Sequence, residues 1–202
     1  KSNDNFINYL EPKISIRYNP SNMINHSSTI RKINNNNLFD INRLGLEDTL
    51  ESGANLTLGI DYKKENLNDI NEYFEFKLGT IIRNKDNANI PISSGIKNKN
   101  SNIFGNIVKN FDENLAVNYD FSVNSSLNEI EYNSLGFLYS KNNFKTEFNF
   151  IEENGVIGNS NILENITSYS FNENNQLSFK TRQNRKLDIA EYYNLIYEYK
   201  ND

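Results

Sequence analysis

The stretch from Leu38 to Tyr62, LFDINRLGLEDTLESGANLTLGIDY, decides how the rest of the chain is read. Its first part is a polar loop that opens on an apolar Leu-Phe pair and carries Gly45 and Gly53. Its second part is a strand by period. Leu56, Leu58, Ile60 and Tyr62 fall on one face, and Thr57, Gly59, Asp61 and Lys63 on the other.

The same two-residue period recurs along the chain. Leu115, Val117, Tyr119, Phe121 and Val123 alternate with Ala116, Asn118, Asp120, Ser122 and Asn124. Phe144, Thr146, Phe148 and Phe150 alternate with Lys145, Glu147 and Asn149, and Leu177, Phe179 and Thr181 with Ser178, Lys180 and Arg182. Tyr193, Leu195, Tyr197 and Tyr199 repeat it once more. Helical spacing fits these windows less well, and roughly nine to eleven strands are predicted, each near the length of a tilted membrane-crossing strand.

Alternation alone leaves the environment open, because a soluble barrel and a membrane barrel share one period. The connections separate them. Long links are predicted at residues 34–54, 84–101, 152–160 and 183–189, and short ones at 110–114, 140–143 and 172–176. Long loops at one end and short turns at the other are the asymmetry of an outer-membrane barrel. Tyr62, Tyr73, Phe111, Tyr139, Phe144 and Phe171 lie beside the shorter links, where they are expected to form an interfacial girdle.

Composition agrees with strands rather than disorder. Hydrophobic residues make up 37% and mean hydropathy is -0.71, yet 13 Phe and 12 Tyr are present, and Asn is about a fifth of the chain. Disordered segments are poor in aromatics. A net charge of -5 and the absence of a basic patch exclude nucleic acid as a partner. There is no cysteine, hence no disulfide and no thiolate metal site. No run of 18 apolar residues is present, which leaves crossing by strands untouched.

The opening loop resembles the barrel domain of the LptD family of lipopolysaccharide-assembly proteins, in Leu38, Phe39, Asn42, Arg43, Asp48, Glu51, Gly53, Leu56 and Gly59. Thr49 stands where that family usually carries Arg, and Leu46 where it usually carries Gly. Leu10-Glu11-Pro12 followed by Ile16-Arg17-Tyr18 resembles an upstream strand of the family, and Ser94-Gly95-Ile96 with Ser101-Asn102-Ile103 and Gly105 a downstream segment. The resemblance implies an all-β, antiparallel up-and-down transmembrane β-barrel in the Gram-negative outer membrane, of which this chain is an incomplete arc. It implies that residues 1–202 are part of the C-terminal barrel domain, with the N-terminal periplasmic domain outside them. It further implies insertion of lipopolysaccharide into the outer leaflet, an LptE-like lipoprotein plug, and an LptA-type periplasmic bridge reached through that N-terminal domain.

Candidate functional residues follow. Arg43, Asp48 and Glu51 are expected to pin the motif loop through charge-assisted hydrogen bonds, or else simply to cap it. Asp61, Lys63, Lys77, Asp120, Lys145, Glu147, Lys180 and Arg182 alternate away from the apolar face and are candidates for a wet lumen. The search for catalytic chemistry finds no nucleotide loop, no HExxH and no EF-hand. No cofactor is implied. His26 is the lone histidine, and Ser27, its strand neighbour, would point to the opposite face. Alternative readings are a porin-like or substrate-specific channel, a His26-dependent hydrolase, and a soluble Asn-rich β-adhesin.

Overall fold

The computed structural model describes residues 5–200 as one open antiparallel sheet of ten strands in sequence order. These are β1 Phe6–Asn19, β2 Gly53–Asn66, β3 Tyr73–Arg83, β4 Ile103–Asn110, β5 Leu115–Val123, β6 Ile130–Lys141, β7 Phe144–Glu153, β8 Ser160–Ser170, β9 Asn175–Asn184 and β10 Ile189–Tyr199. A single 3-10 turn, Ile92–Ser94, lies between β3 and β4. The meander is an incomplete arc of an up-and-down barrel, and no helix among the described residues is long and apolar enough to cross a membrane.

The register sorts the side chains into two faces. Leu10 pairs with Tyr62, Tyr62 with Phe76, Phe76 with Ile107 and Ile107 with Tyr119, so one apolar row runs from β1 to β5. It continues through Leu135, Phe150 and Leu163. This face is open: Ile16 is 82% exposed and Leu195 70%. The opposite face carries the polar alternates, beginning with Lys13 and Asp61, which form an ion pair at 2.7 Å.

Pro12 shows why β1 tolerates a proline. The N–H of Leu67 donates to the Asn5 carbonyl, which sets odd-numbered residues of β1 to bond β2. The missing N–H of Pro12 therefore faces away from β2, along the outer edge of β1.

The loop asymmetry rests on two links, residues 20–52 and 84–102, which share one end of the sheet with 124–129, 154–159 and 185–188. The last two, expected to be long, are no longer than the links 67–72 and 111–114 at the other end, because β7 and β9 extend farther than their alternating cores suggested. His26 lies inside the first link, beyond the end of β1, and not on a strand. Tyr73 is also corrected: it pairs with Glu65 on the polar face, and Lys63 Nζ sits 5.1 Å from its ring centroid. Phe74 takes its place on the apolar face beside Tyr62, with ring centroids 6.2 Å apart.

Candidate functional site

The two long links fold back over the polar face instead of standing clear of it. Leu38 and Phe39, which open the motif loop, press against the paired Gly59 of β2 and Gly79 of β3. A Cβ on Gly59 would stand 2.8 Å from the Phe39 ring, and one on Gly79 would collide with Leu38. Adjacent glycines leave the floor on which these side chains lie. Around them a core forms from Met23, Ile33, Leu44 and Leu46 of the first link, Ile90 and Ile96 of the second, and Ile81 and Phe104 of the sheet.

Next to this core, Arg43 is buried and fully engaged. Its guanidinium pairs with Glu51, one hydrogen bond being 2.7 Å, and donates to Thr57 Oγ1 at 2.9 Å, Asn55 Oδ1 at 3.1 Å and the Leu38 carbonyl at 3.2 Å. Glu51 also accepts from Arg83 at 2.7 Å, and Arg83 donates to the Ser52 carbonyl at 2.9 Å. One loop carboxylate thus ties together the loop, β2 and β3. Burial pushes the Glu51 carboxyl upward, but the hydrogen bonds and charges of Arg43 and Arg83 outweigh it and hold it below its ordinary value. Asp48 takes no part. It is exposed and meets His26 Nε2 at 2.9 Å.

The second motif belongs to the same body. Ser94 Oγ donates to the Pro91 carbonyl at 2.6 Å, and Gly95, at φ +70°, closes the 3-10 turn in the left-handed region. Ser101 Oγ accepts from the Ile81 N–H at 2.8 Å and donates to the Asn102 carbonyl at 2.7 Å. Gly105 stands apart on the apolar face, where the Phe121 ring covers it. Gly53 begins β2 at φ +85°.

Reading the sequence assigned no role to Asn55 or Arg83, took Thr57 as a plain strand alternate and Asn102 only as part of the family resemblance; all four are buried, as is Glu131. Asn102 Nδ2 reaches Ser122 Oγ at 2.9 Å and Glu131 Oε2 at 2.6 Å, joining the second link to β5 and β6. A signal was present in the doubled apolar pairs Ile81-Ile82 and Ile103-Phe104. Broken alternation at one end of a strand marks backbone covered on both faces.

Asp61, Lys63, Lys77, Asp120, Lys145, Glu147, Lys180 and Arg182 all fall on the polar face by register. Several of them fall in pairs and short chains. Lys63 reaches Glu65 and Glu75, Lys77 reaches Glu75, Lys145 meets Glu147 at 2.7 Å, and Arg182 links Glu164 to Glu191. Among the described residues, no group of three His, Cys, Asp or Glu side chains is placed to hold a metal.

A ten-stranded meander with one apolar and one polar face, its motif loops packed on the polar side, is the setting in which the family comparison is decisive. The family model described as LPS transport system D, LptD, matches residues 1–172. The chain belongs to the LptD family. LptD proteins are outer-membrane β-barrel components of lipopolysaccharide transport, and the two-faced sheet of this member is compatible with that setting. No curated protein matches the chain.

Proposed function

We propose that this LptD-family chain forms part of the wall of an outer-membrane translocon that inserts lipopolysaccharide into the outer leaflet, without catalysing a reaction. In this reading the apolar face meets lipid and the polar face lines the lumen. Residues 1–202 belong to the C-terminal barrel domain. The long links lie at the outer end, folded inward as a cap over part of the lumen. The observation that carries the reading is the inward packing of the first motif loop, and of the Ser94 and Ser101 part of the second motif, onto the polar face, with Arg43, Glu51 and Arg83 buried where the loop meets β2 and β3.

The partners that fit are lipopolysaccharide, an LptE-like lipoprotein that plugs the lumen, and an LptA-type bridge acting through the periplasmic domain. An open pore would need no plug, so co-purification separates the translocon from a porin-like channel. The parent protein, extracted from outer membranes, is expected to bring a stoichiometric lipoprotein identified by mass spectrometry. A heat-modifiable barrel that comes alone and conducts ions would overturn the translocon reading.

A further inference from the structure

The outward face of the sheet is not apolar to the same height along its length. From Phe6 to Ile14 on β1, from Asn66 to Leu58 on β2 and from Leu115 to Val123 on β5, one fixed distance from the short-turn end leads to an apolar outward side chain. The same distance leads from Lys141 to Asn133 on β6, from Phe144 to Glu152 on β7 and from Asn175 to Gln183 on β9. On β1 and β2 the apolar run climbs further, through Ile16 and Leu56, and ends on Tyr18 and Ala54. On β6 and β7 it has already stopped at Leu135 and Phe150. The difference is two outward positions, about 10 Å of height for strands rising about 3.4 Å per residue at a tilt near 40°.

The row above that edge is held in place as a polar row. Glu152 Oε2 accepts from Asn133 Nδ2 at 3.0 Å and Glu152 Oε1 from Asn161 Nδ2 at 3.4 Å, so the charge is fixed across three strands instead of swinging toward the loops. Arg185, whose N–H donates to the Asn161 carbonyl at 2.8 Å, and Lys186 follow at the exposed β9–β10 turn. Below the edge, the polar side chains of the same face are closed on one another. Asn165 Nδ2 donates to Thr146 Oγ1 at 3.1 Å and to the Glu147 carbonyl at 3.0 Å, and Thr167 Oγ1 donates to Asn165 Oδ1 at 3.0 Å. Groups satisfied in this way tolerate acyl chains beside them, whereas a carboxylate facing hydrocarbon is costly.

We infer that the bilayer steps down along this wall: the hydrated headgroup layer of the outer leaflet reaches Asn133, Glu152, Asn161 and Gln183, about 10 Å nearer the short-turn end than it stands beside β1 and β2. A wall with a short apolar belt is accommodated by local thinning of the bilayer. The occupant of the row is the headgroup layer itself, because the row offers one charge and several amides but none of the apolar anchors on which a protein partner docks. The inference rests on the reading that the apolar face meets lipid and that the long links lie at the outer end. It adds to that reading a thinned patch of outer leaflet beside β6–β9, away from the β1 edge.

The test uses the detergent-purified parent protein returned to vesicles of phosphatidylethanolamine and phosphatidylglycerol, with a nitroxide attached in Leu56→Cys, Phe148→Cys or Gln183→Cys. Power-saturation EPR reads collision with oxygen, which concentrates in hydrocarbon, and with a neutral nickel chelate, which stays in water. Heat-modifiability verifies folding of each variant. Leu56→Cys and Phe148→Cys are expected to favour oxygen. Gln183→Cys is expected to favour the chelate, with an oxygen-to-chelate ratio at least threefold below that of Leu56→Cys, although Leu56 lies farther from the short turns. Equal ratios at Leu56 and Gln183 mean a level bilayer and overturn the inference, while oxygen-dominated collision at Phe148 leaves the membrane reading standing. A label at Gln183 shielded from both agents means that protein covers the row, and also overturns it. Chelate-dominated collision at all three positions removes the membrane reading, and the inference with it.

Discussion

Arg43 and Glu51 are eight positions apart in the loop, yet their value lies in what they join. Neither can lose its partner cheaply. Removing one member of a buried, hydrogen-bonded pair leaves the other charge uncompensated, at a cost of about 3–5 kcal/mol. Arg43→Met and Glu51→Gln are therefore each expected to release the loop, seen as protease cleavage within residues 20–52 in intact outer membranes, while the strands stay folded. His26→Ala, which removes only an exposed contact to Asp48, is expected to leave the cleavage pattern unchanged. The pH dependence follows from Glu51. Its carboxyl is held below the ordinary value of 4.5, so its contribution is complete above that value and is lost as pH falls through the depressed one. Hydrogen exchange of the loop amides should be unchanged from pH 7 to pH 5 and accelerate, beyond the intrinsic pH effect, only in more acidic buffer.

At the level of elements, β2 and β3 form the platform and the first link is the body placed on it. The platform depends on the absence of side chains at Gly59 and Gly79. Gly79→Val should displace Leu38 and lower the thermal stability of the cap, by an amount comparable to Leu38→Ala, about 2–5 kcal/mol. A matching loss in the two variants, with no further loss in the double mutant, would be the sign of one shared contact. The strands themselves were legible from the period of two, because each presents one wet and one apolar face for most of its length. Legibility ended where tertiary packing replaced water. Thr57 and Ile81 are paired across β2 and β3 and both are fully buried, although one is polar and the other apolar, since the link covers them equally. Tyr73 was misassigned for a related reason: a tyrosine beside a turn suits either face, and only the register with Glu65 decides. In the motif loop the Arg43–Glu51 pairing was within reach of charge arithmetic, but Arg83 joins from the next strand, at a separation that no local pattern encodes.

The whole molecule is a sheet with an inside and an outside of opposite character. Its apolar face exposes Ile14, Ile16, Leu195 and Tyr197, and the outer edges of β1 and β10 have no strand beside them among the described residues. Such a surface aggregates in water. Residues 1–202 expressed alone are expected to sediment without detergent and to remain dispersed only with it; a soluble monomer would favour the adhesin reading. The central claim is that the first link crosses the polar face inside the barrel. The most direct measurement is thiol cross-linking of Lys32→Cys with Glu153→Cys in outer membranes, and this chain contributes no cysteine of its own. A short bis-maleimide should join the two positions in most of the protein and change its electrophoretic mobility, with Ile41→Cys and Glu153→Cys as the unjoined control. Efficient labelling of both thiols without any cross-link, in a barrel that remains heat-modifiable, would place the loop outside the lumen and contradict the inward-folded cap.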